Sequence, residues 1–135
     1  MKNLAIACTG LLASGLAMAE NLVGTDELLC AAGRAQICFE NGECFSVAPW
    51  ELSIPDFVVI DMKEKSVSTT KGSGQNRSSP FSSVERSDGI IYLQGLEDER
   101  AFSFVIEEAS GHMTVAIARD GISVTVFGVC TDTDV

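Results

Sequence analysis

Ala101-Phe102-Ser103-Phe104-Val105-Ile106, Met113-Thr114-Val115-Ala116-Ile117-Ala118 and Ile122-Ser123-Val124-Thr125-Val126 follow one another with only short breaks between them. In each, large apolar residues recur at every second position, the period of a β-strand. Phe102, Phe104 and Ile106 share one face; Met113, Val115 and Ile117 share another; Ile122, Val124 and Val126 a third. Opposite them stand Ser103, Thr114, Ala116, Ser123 and Thr125, which suit a solvated or lightly covered surface. Ser110-Gly111 and Asp120-Gly121 leave room for a turn and none for a crossover helix, so the strands run antiparallel.

The same pattern extends upstream. Strands are expected over 57–61, 66–70, 81–85 and 90–95, with turns at Met62 to Lys65 and at Ser87-Asp88-Gly89. Residues 71–80, rich in Gly and Ser, are expected to form one long flexible loop. About eight short antiparallel strands with one apolar face predict an all-β meander closing into a small up-and-down barrel, with a β-sandwich as the alternative. A barrel this small is expected to be filled by its own side chains. If it is open, Phe102, Phe104, Ile106, Val115 and Ile117 would suit an apolar small molecule. A helical period occurs only in Thr25 to Arg34, where Thr25 is placed to cap a short helix carrying Leu28 and Leu29.

The first nineteen residues read as a secretory signal peptide. Lys2 gives a positive start, Leu4 to Leu12 an apolar run, and Ala17-Met18-Ala19 a small-x-small cleavage site before Glu20. The apolar run falls short of the roughly 20 residues that span a bilayer, and no later segment comes closer. The stretch Leu4-Ala5-Ile6-Ala7 ahead of Cys8 lacks Leu at the usual place of a lipidation site, so the expected product is an exported chain, 20–135, folded as a single β domain. Its location is periplasmic or secreted.

Export leaves Cys30, Cys38, Cys44 and Cys130, and four cysteines in a small exported domain predict two disulfides. One histidine and no C-x2-C pair argue against zinc, so no metal or other cofactor is expected. Around Asn41-Gly42 a two-residue hairpin loop would put Cys38 opposite Phe45. A three-residue loop, Glu40 to Gly42 with Gly42 left-handed, puts Cys38 opposite Cys44 within disulfide reach. The second register is preferred, which pairs Cys30 with Cys130.

The 135-residue chain has nine basic and nineteen acidic residues; loss of Lys2 leaves eight basic, a net charge of −11. A field of that sign repels nucleic acid and anionic lipid, and favours a basic partner if there is one. Glu97-Asp98-Glu99, in a turn, is the candidate contact for a basic envelope protein. Catalytic machinery is not visible. His112, the lone histidine, sits at a strand start with no companion nucleophile, and no serine lies in a G-x-S-x-G elbow. Glu107-Glu108 and Asp132-Thr133-Asp134 read as solvated charge, and Trp50, the only tryptophan, as a cap on a barrel end.

Cys38…Gly42-Glu43-Cys44, Ile54-Pro55-Asp56-Phe57, Leu93-Gln94-Gly95, Arg100-Ala101-Phe102-Ser103, Gly111-His112-Met113-Thr114 and Phe127-Gly128-Val129-Cys130-Thr131 follow in order along nearly the whole mature chain. Together they resemble a family of small exported proteobacterial proteins of unknown function, whose most specific mark is the C-terminal Phe-Gly-x-Cys-Thr pattern. The resemblance implies a periplasmic β domain and no particular activity. Lysozyme inhibitors of the periplasm carry Ser-Gly-x-x-Tyr, but Thr114 stands in the Tyr position; lipocalins carry Gly-x-Trp, which Ala48-Pro49-Trp50 does not match. The expected function is therefore a non-enzymatic binding or interaction module. The alternatives are a carrier of a small apolar ligand and an inhibitor of a cationic envelope enzyme such as lysozyme.

Overall fold

The computed structural model describes residues 21–133. Residues 1–19, expected to be a signal peptide and including Cys8, lie outside the described residues, as do Glu20 and Asp134. Ten strands form one antiparallel sheet: β1 (Glu27–Phe39), β2 (Cys44–Val47), β3 (Phe57–Asp61), β4 (Ser66–Thr69), β5 (Ser78–Pro80), β6 (Ser83–Ser87), β7 (Ile90–Glu97), β8 (Arg100–Glu107), β9 (His112–Arg119) and β10 (Ile122–Asp132). The sheet curls into a half-barrel with its apolar side inward, as the alternation requires.

Around the curl the strands run β5-β4-β3-β1-β10-β9-β8-β7-β6, with β2 a spur paired to the far half of β1. The N-terminal and C-terminal strands are neighbours, and the two outer edges, β5 and β6, belong to one stretch of chain. Within that stretch the Phe81 amide donates to the Lys65 carbonyl (2.8 Å), and the Ser82 amide donates to the Gln94 carbonyl (2.8 Å). The chain thus crosses the open side, pairing first with β4 and then with β7. That is the strand order of an up-and-down barrel.

Thr25 to Arg34 is not a helix: most of it lies in β1, which carries a bulge between Ala32 and Arg34. The extra residue, Gly33, resets the alternation, so Leu28, Cys30 and Ala32 face inward before it and Ala35 after it. Leu28, Ala32 and Ala35 then fall at i, i+4 and i+7, the spacing of one helix face. The bulge imitates a helical period, and pairing with β10 and β3 overrides it.

Residues 71–80 are also more ordered than their composition suggests. A short 3-10 turn over Lys71–Ser73 is followed by β5. The Thr69 hydroxyl donates to the Gln75 carbonyl (3.0 Å) and accepts from the Arg77 amide (3.1 Å), folding the loop back on β4. Such side-chain bonds to nearby backbone compete effectively with disorder in polar segments.

The Cys38↔Cys44 register and the left-handed Gly42 (φ 91°) give the three-residue hairpin loop expected from sequence, and both disulfides, Cys38–Cys44 and Cys30–Cys130, are formed. Cys30 and Cys130 are direct cross-strand neighbours on the inner face, buried at 0% and 5% exposure, so the bridge joins the first and last strands inside the core.

The core is concentrated toward one end. Leu28, Ile60, Ile91 and Ile106 are fully buried there, and Leu22, just ahead of β1, plugs that end. Its amide donates to the Glu108 carbonyl (2.8 Å), and the Arg86 guanidinium donates to the Thr25 carbonyl, tying the segment across the barrel mouth. Each fully buried aliphatic side chain contributes about 1.5–3 kcal/mol of transfer free energy. The outer face is less polar than expected, since Tyr92, Val105, Thr114 and Phe127 form one cross-strand row there and Phe127 is half exposed.

Candidate functional site

The opposite end of the barrel is hollow. A cavity of about 140 Å³ lies between the sheet interior and the connection from β2 to β3. Its apolar walls come from six strands: Phe102 and Phe104 from β8, Val115 and Ile117 from β9, Val126 from β10, Ala32 from β1, Val58 from β3 and Val67 from β4. Those from β8, β9 and β10 belong to the alternating sets visible in the sequence. The interior is therefore filled at the Leu22 end and open at the other, where a filled core was expected throughout.

Phe81, Phe102 and Phe104 pack edge to face, with ring centroids 5.6 to 6.1 Å apart. Such packing follows the ring quadrupoles and holds the Phe102 and Phe104 rings as a rigid wall. Across from them a cover is built by Leu52, Ile54 and Pro55. Its 3-10 turn, Pro49–Leu52, is pinned by the Glu51 carboxylate, which accepts from the Ala48 amide (2.7 Å). Trp50, in the same turn, is 69% exposed and points away from the barrel interior, so Leu52 and Ile54 do the covering that Trp50 was expected to do.

The rim is polar and carries both signs of charge. Arg77, Ser79, Glu97 and Arg100 all line the cavity. Arg77, placed by the Thr69 hydroxyl, donates from its Nη1 to the Ser53 carbonyl (2.9 Å) and so clamps the β4–β5 loop to the cover. The Glu97 carboxylate accepts from the Ser79 hydroxyl, joining β7 to β5 across the open side of the sheet. Arg100 differs. Its Nε is buried without a hydrogen-bond partner, as is that of Arg86, but unlike Arg86 its guanidinium makes no hydrogen bond at all, and the single ion pair among the described residues is Lys63–Asp26. A buried charged donor without a partner is costly and marks a site worth explaining.

The three carboxylates of the Glu97-Asp98-Glu99 turn do not form one face. Glu97 is half-buried at the cavity rim, whereas Asp98 and Glu99 stand in solvent at the hairpin tip. Both tip residues have positive φ, 47° and 62°, the backbone of a tight two-residue turn between the paired Glu97 and Arg100. That turn is what aims Glu97 and Arg100 together at the rim. Sequence reading missed Arg77, Ser79 and Arg100, because their meeting depends on how the sheet curls. The available signal was Arg100 itself, a cation closing an acidic turn ahead of an inward-facing Phe102.

His112 begins β9 at the plugged end, exposed, with its backbone amide donating to the Ser110 hydroxyl (3.1 Å). Its neighbour Met113 lines the cavity, but His112 itself is exposed and is not part of the lining. Asp132 accepts from the Thr25 hydroxyl (3.2 Å), also at the plugged end. Among the described residues no cluster of three or more His, Cys, Asp or Glu is arranged to hold a metal ion. None of their helices is long and apolar enough to cross a membrane. No family model and no curated protein matches this chain, so the reading of the site rests on its own geometry.

Proposed function

We propose that the protein is a non-enzymatic binding module of the cell envelope, and that its ligand is a small apolar molecule held in the barrel cavity. The observation that carries this reading is the cavity itself. One end of the barrel is tightly filled, while the other keeps about 140 Å³ against aromatic and branched aliphatic walls. Apolar wall that faces water is unfavourable, and a ligand that covers it gains the corresponding transfer free energy. A cavity of this type, apolar with a few convergent polar groups, is the ordinary form of a small-molecule site. The leader-like residues 1–19 and the two disulfides support a periplasmic or secreted location.

The test is ligand-dependent thermal stability of the mature protein with 1-hexanol and benzyl alcohol, both sized for the space. Binding to the folded state alone raises Tm in proportion to the logarithm of ligand concentration. Val115→Phe, which fills the cavity from its wall, should abolish the rise while keeping the fold. An unchanged Tm at saturating alcohol, or an equal rise in Val115→Phe, would remove the cavity as a ligand site.

A further inference from the structure

We infer that the ligand is a small amphipathic monocarboxylate, its apolar body against Phe102, Phe104 and Val115 and its carboxylate on Arg100, with Arg77 beside it at the rim. The inference rests on the cavity reading above and specifies the ligand's chemistry.

Charge at the rim is the first argument. The protein is strongly acidic, with eight mature basic residues against nineteen acidic ones, yet two of those eight line this one cavity. Glu97 is the single carboxylate in the lining. Two arginines against one glutamate leave a net charge of about +1 at the mouth, which matches a monoanion better than a phosphate dianion near neutral pH.

Hydrogen bonding is the second. Glu97 accepts from the Ser79 hydroxyl and makes no ion pair with either arginine, although it pairs directly with Arg100 in the β7–β8 ladder. Arg77 spends one amino group on the Ser53 carbonyl. Arg100 is left with a buried Nε that no protein group satisfies. The two amino groups of the Arg100 guanidinium also make no hydrogen bond or ion pair, and their planar pair of donors fits a ligand carboxylate in two parallel bonds.

Size is the third. A closed apolar cavity of about 150 Å³ holds a benzene ring. The 140 Å³ here therefore takes a body of about six carbons, a phenyl ring or a short acyl chain.

The experiment is calorimetric titration of the mature, oxidised protein with two matched pairs: hexanoate against 1-hexanol, and 3-phenylpropanoate against 3-phenylpropan-1-ol. Each acid should bind at least tenfold more tightly than its alcohol. Arg100→Gln should erase that preference by weakening the acids at least tenfold more than the alcohols. Arg77→Gln, at the exposed rim, should reduce the preference several-fold, and it carries the test if Arg100→Gln fails to fold. Acids no tighter than alcohols, with the alcohols still bound, would overturn the carboxylate assignment and leave the cavity reading standing. A preference that survives in Arg100→Gln, or that is untouched in Arg77→Gln when Arg100→Gln does not fold, also overturns it. Binding of none of the four compounds would overturn the cavity reading as well.

Discussion

Gly95 and Phe102 face each other across the β7–β8 ladder, and the Phe102 ring occupies the space that a side chain at position 95 would need. The Pro80 carbonyl of β5 closes the same space from the other side. The absence of a side chain at position 95 thus lets three things coincide: the aromatic wall of the cavity, the β7 backbone and the edge of β5. The phenyl ring covers an otherwise bare stretch of β7, as aromatics do opposite glycines in sheets.

Replacing Gly95 with Ala should therefore push both Phe102 and β5 aside. Overpacking of this kind costs about 1–3 kcal/mol or more. Urea denaturation checks the cost, and cavity binding should weaken in parallel because Phe102 is a wall residue. A Gly95→Ala protein as stable as the parent would show that the seam between β5 and β7 yields freely.

The two disulfides should differ in weight. Cys30–Cys130 closes 100 residues and Cys38–Cys44 closes 6. Chain entropy assigns about 4–5 kcal/mol to the long loop and about 2 kcal/mol to the short one. Equilibrium unfolding of the Cys30→Ala/Cys130→Ala and Cys38→Ala/Cys44→Ala variants measures both. Equal losses, or a larger loss from the short bridge, would contradict the loop-length argument for this fold.

Leu22 is fully buried although it precedes the first strand. Leu22→Ala should cost about 2–5 kcal/mol, as buried Leu to Ala changes do. Hydrogen exchange should report faster opening of 21–26 and of the Glu108 contact before the rest of the barrel opens. A loss under 1 kcal/mol would mean the segment adds little to closing that end.

Glu99, at φ 62°, adopts a left-handed backbone that costs a residue with a β-carbon about 1–2 kcal/mol. Glu99→Gly removes that strain at some entropic cost in the unfolded chain, so a net gain of about 0.5–1 kcal/mol is expected. A shift of Tm to higher temperature with unchanged ligand affinity is the expected result. Loss of stability would mean that the Glu99 side chain makes a contribution exceeding the strain.

If residues 1–19 act as a leader, as their pattern suggests, the exported protein should be recovered as a chain beginning at Glu20, after Ala17-Met18-Ala19. Intact-mass spectrometry of the exported protein decides this. A chain still starting at Met1, or one carrying lipid on Cys8, would refute it.

Much of the fold was readable because a half-buried strand writes its burial into the sequence with period two. Phe102, Phe104, Ile106, Met113, Val115 and Val126 are all inside, as their alternation required. The hairpin around Gly42 was readable because loop length fixes register, and register decides whether Cys38 meets Cys44. β1 was misread for an equally physical reason. One bulged residue at Gly33 shifts the period, and a short sequence cannot distinguish that shift from a helix face.

The sequence by itself determined the strand alternation, the antiparallel order, the disulfide pairing and the acidic charge, because each depends on neighbours along the chain or on a simple count. Only the tertiary structure decided which end of the barrel is filled. That depends on Leu22 packing beneath strands more than eighty residues away, and on Pro49 to Pro55 lying over Phe104 and Val115 instead of filling the space between them. Arg77, Ser79, Glu97 and Arg100 likewise meet only because the sheet curls and brings β5 against β7. Curl and closure are sums of small twists over the whole sheet, and no local stretch of residues specifies where such a sum brings its edges.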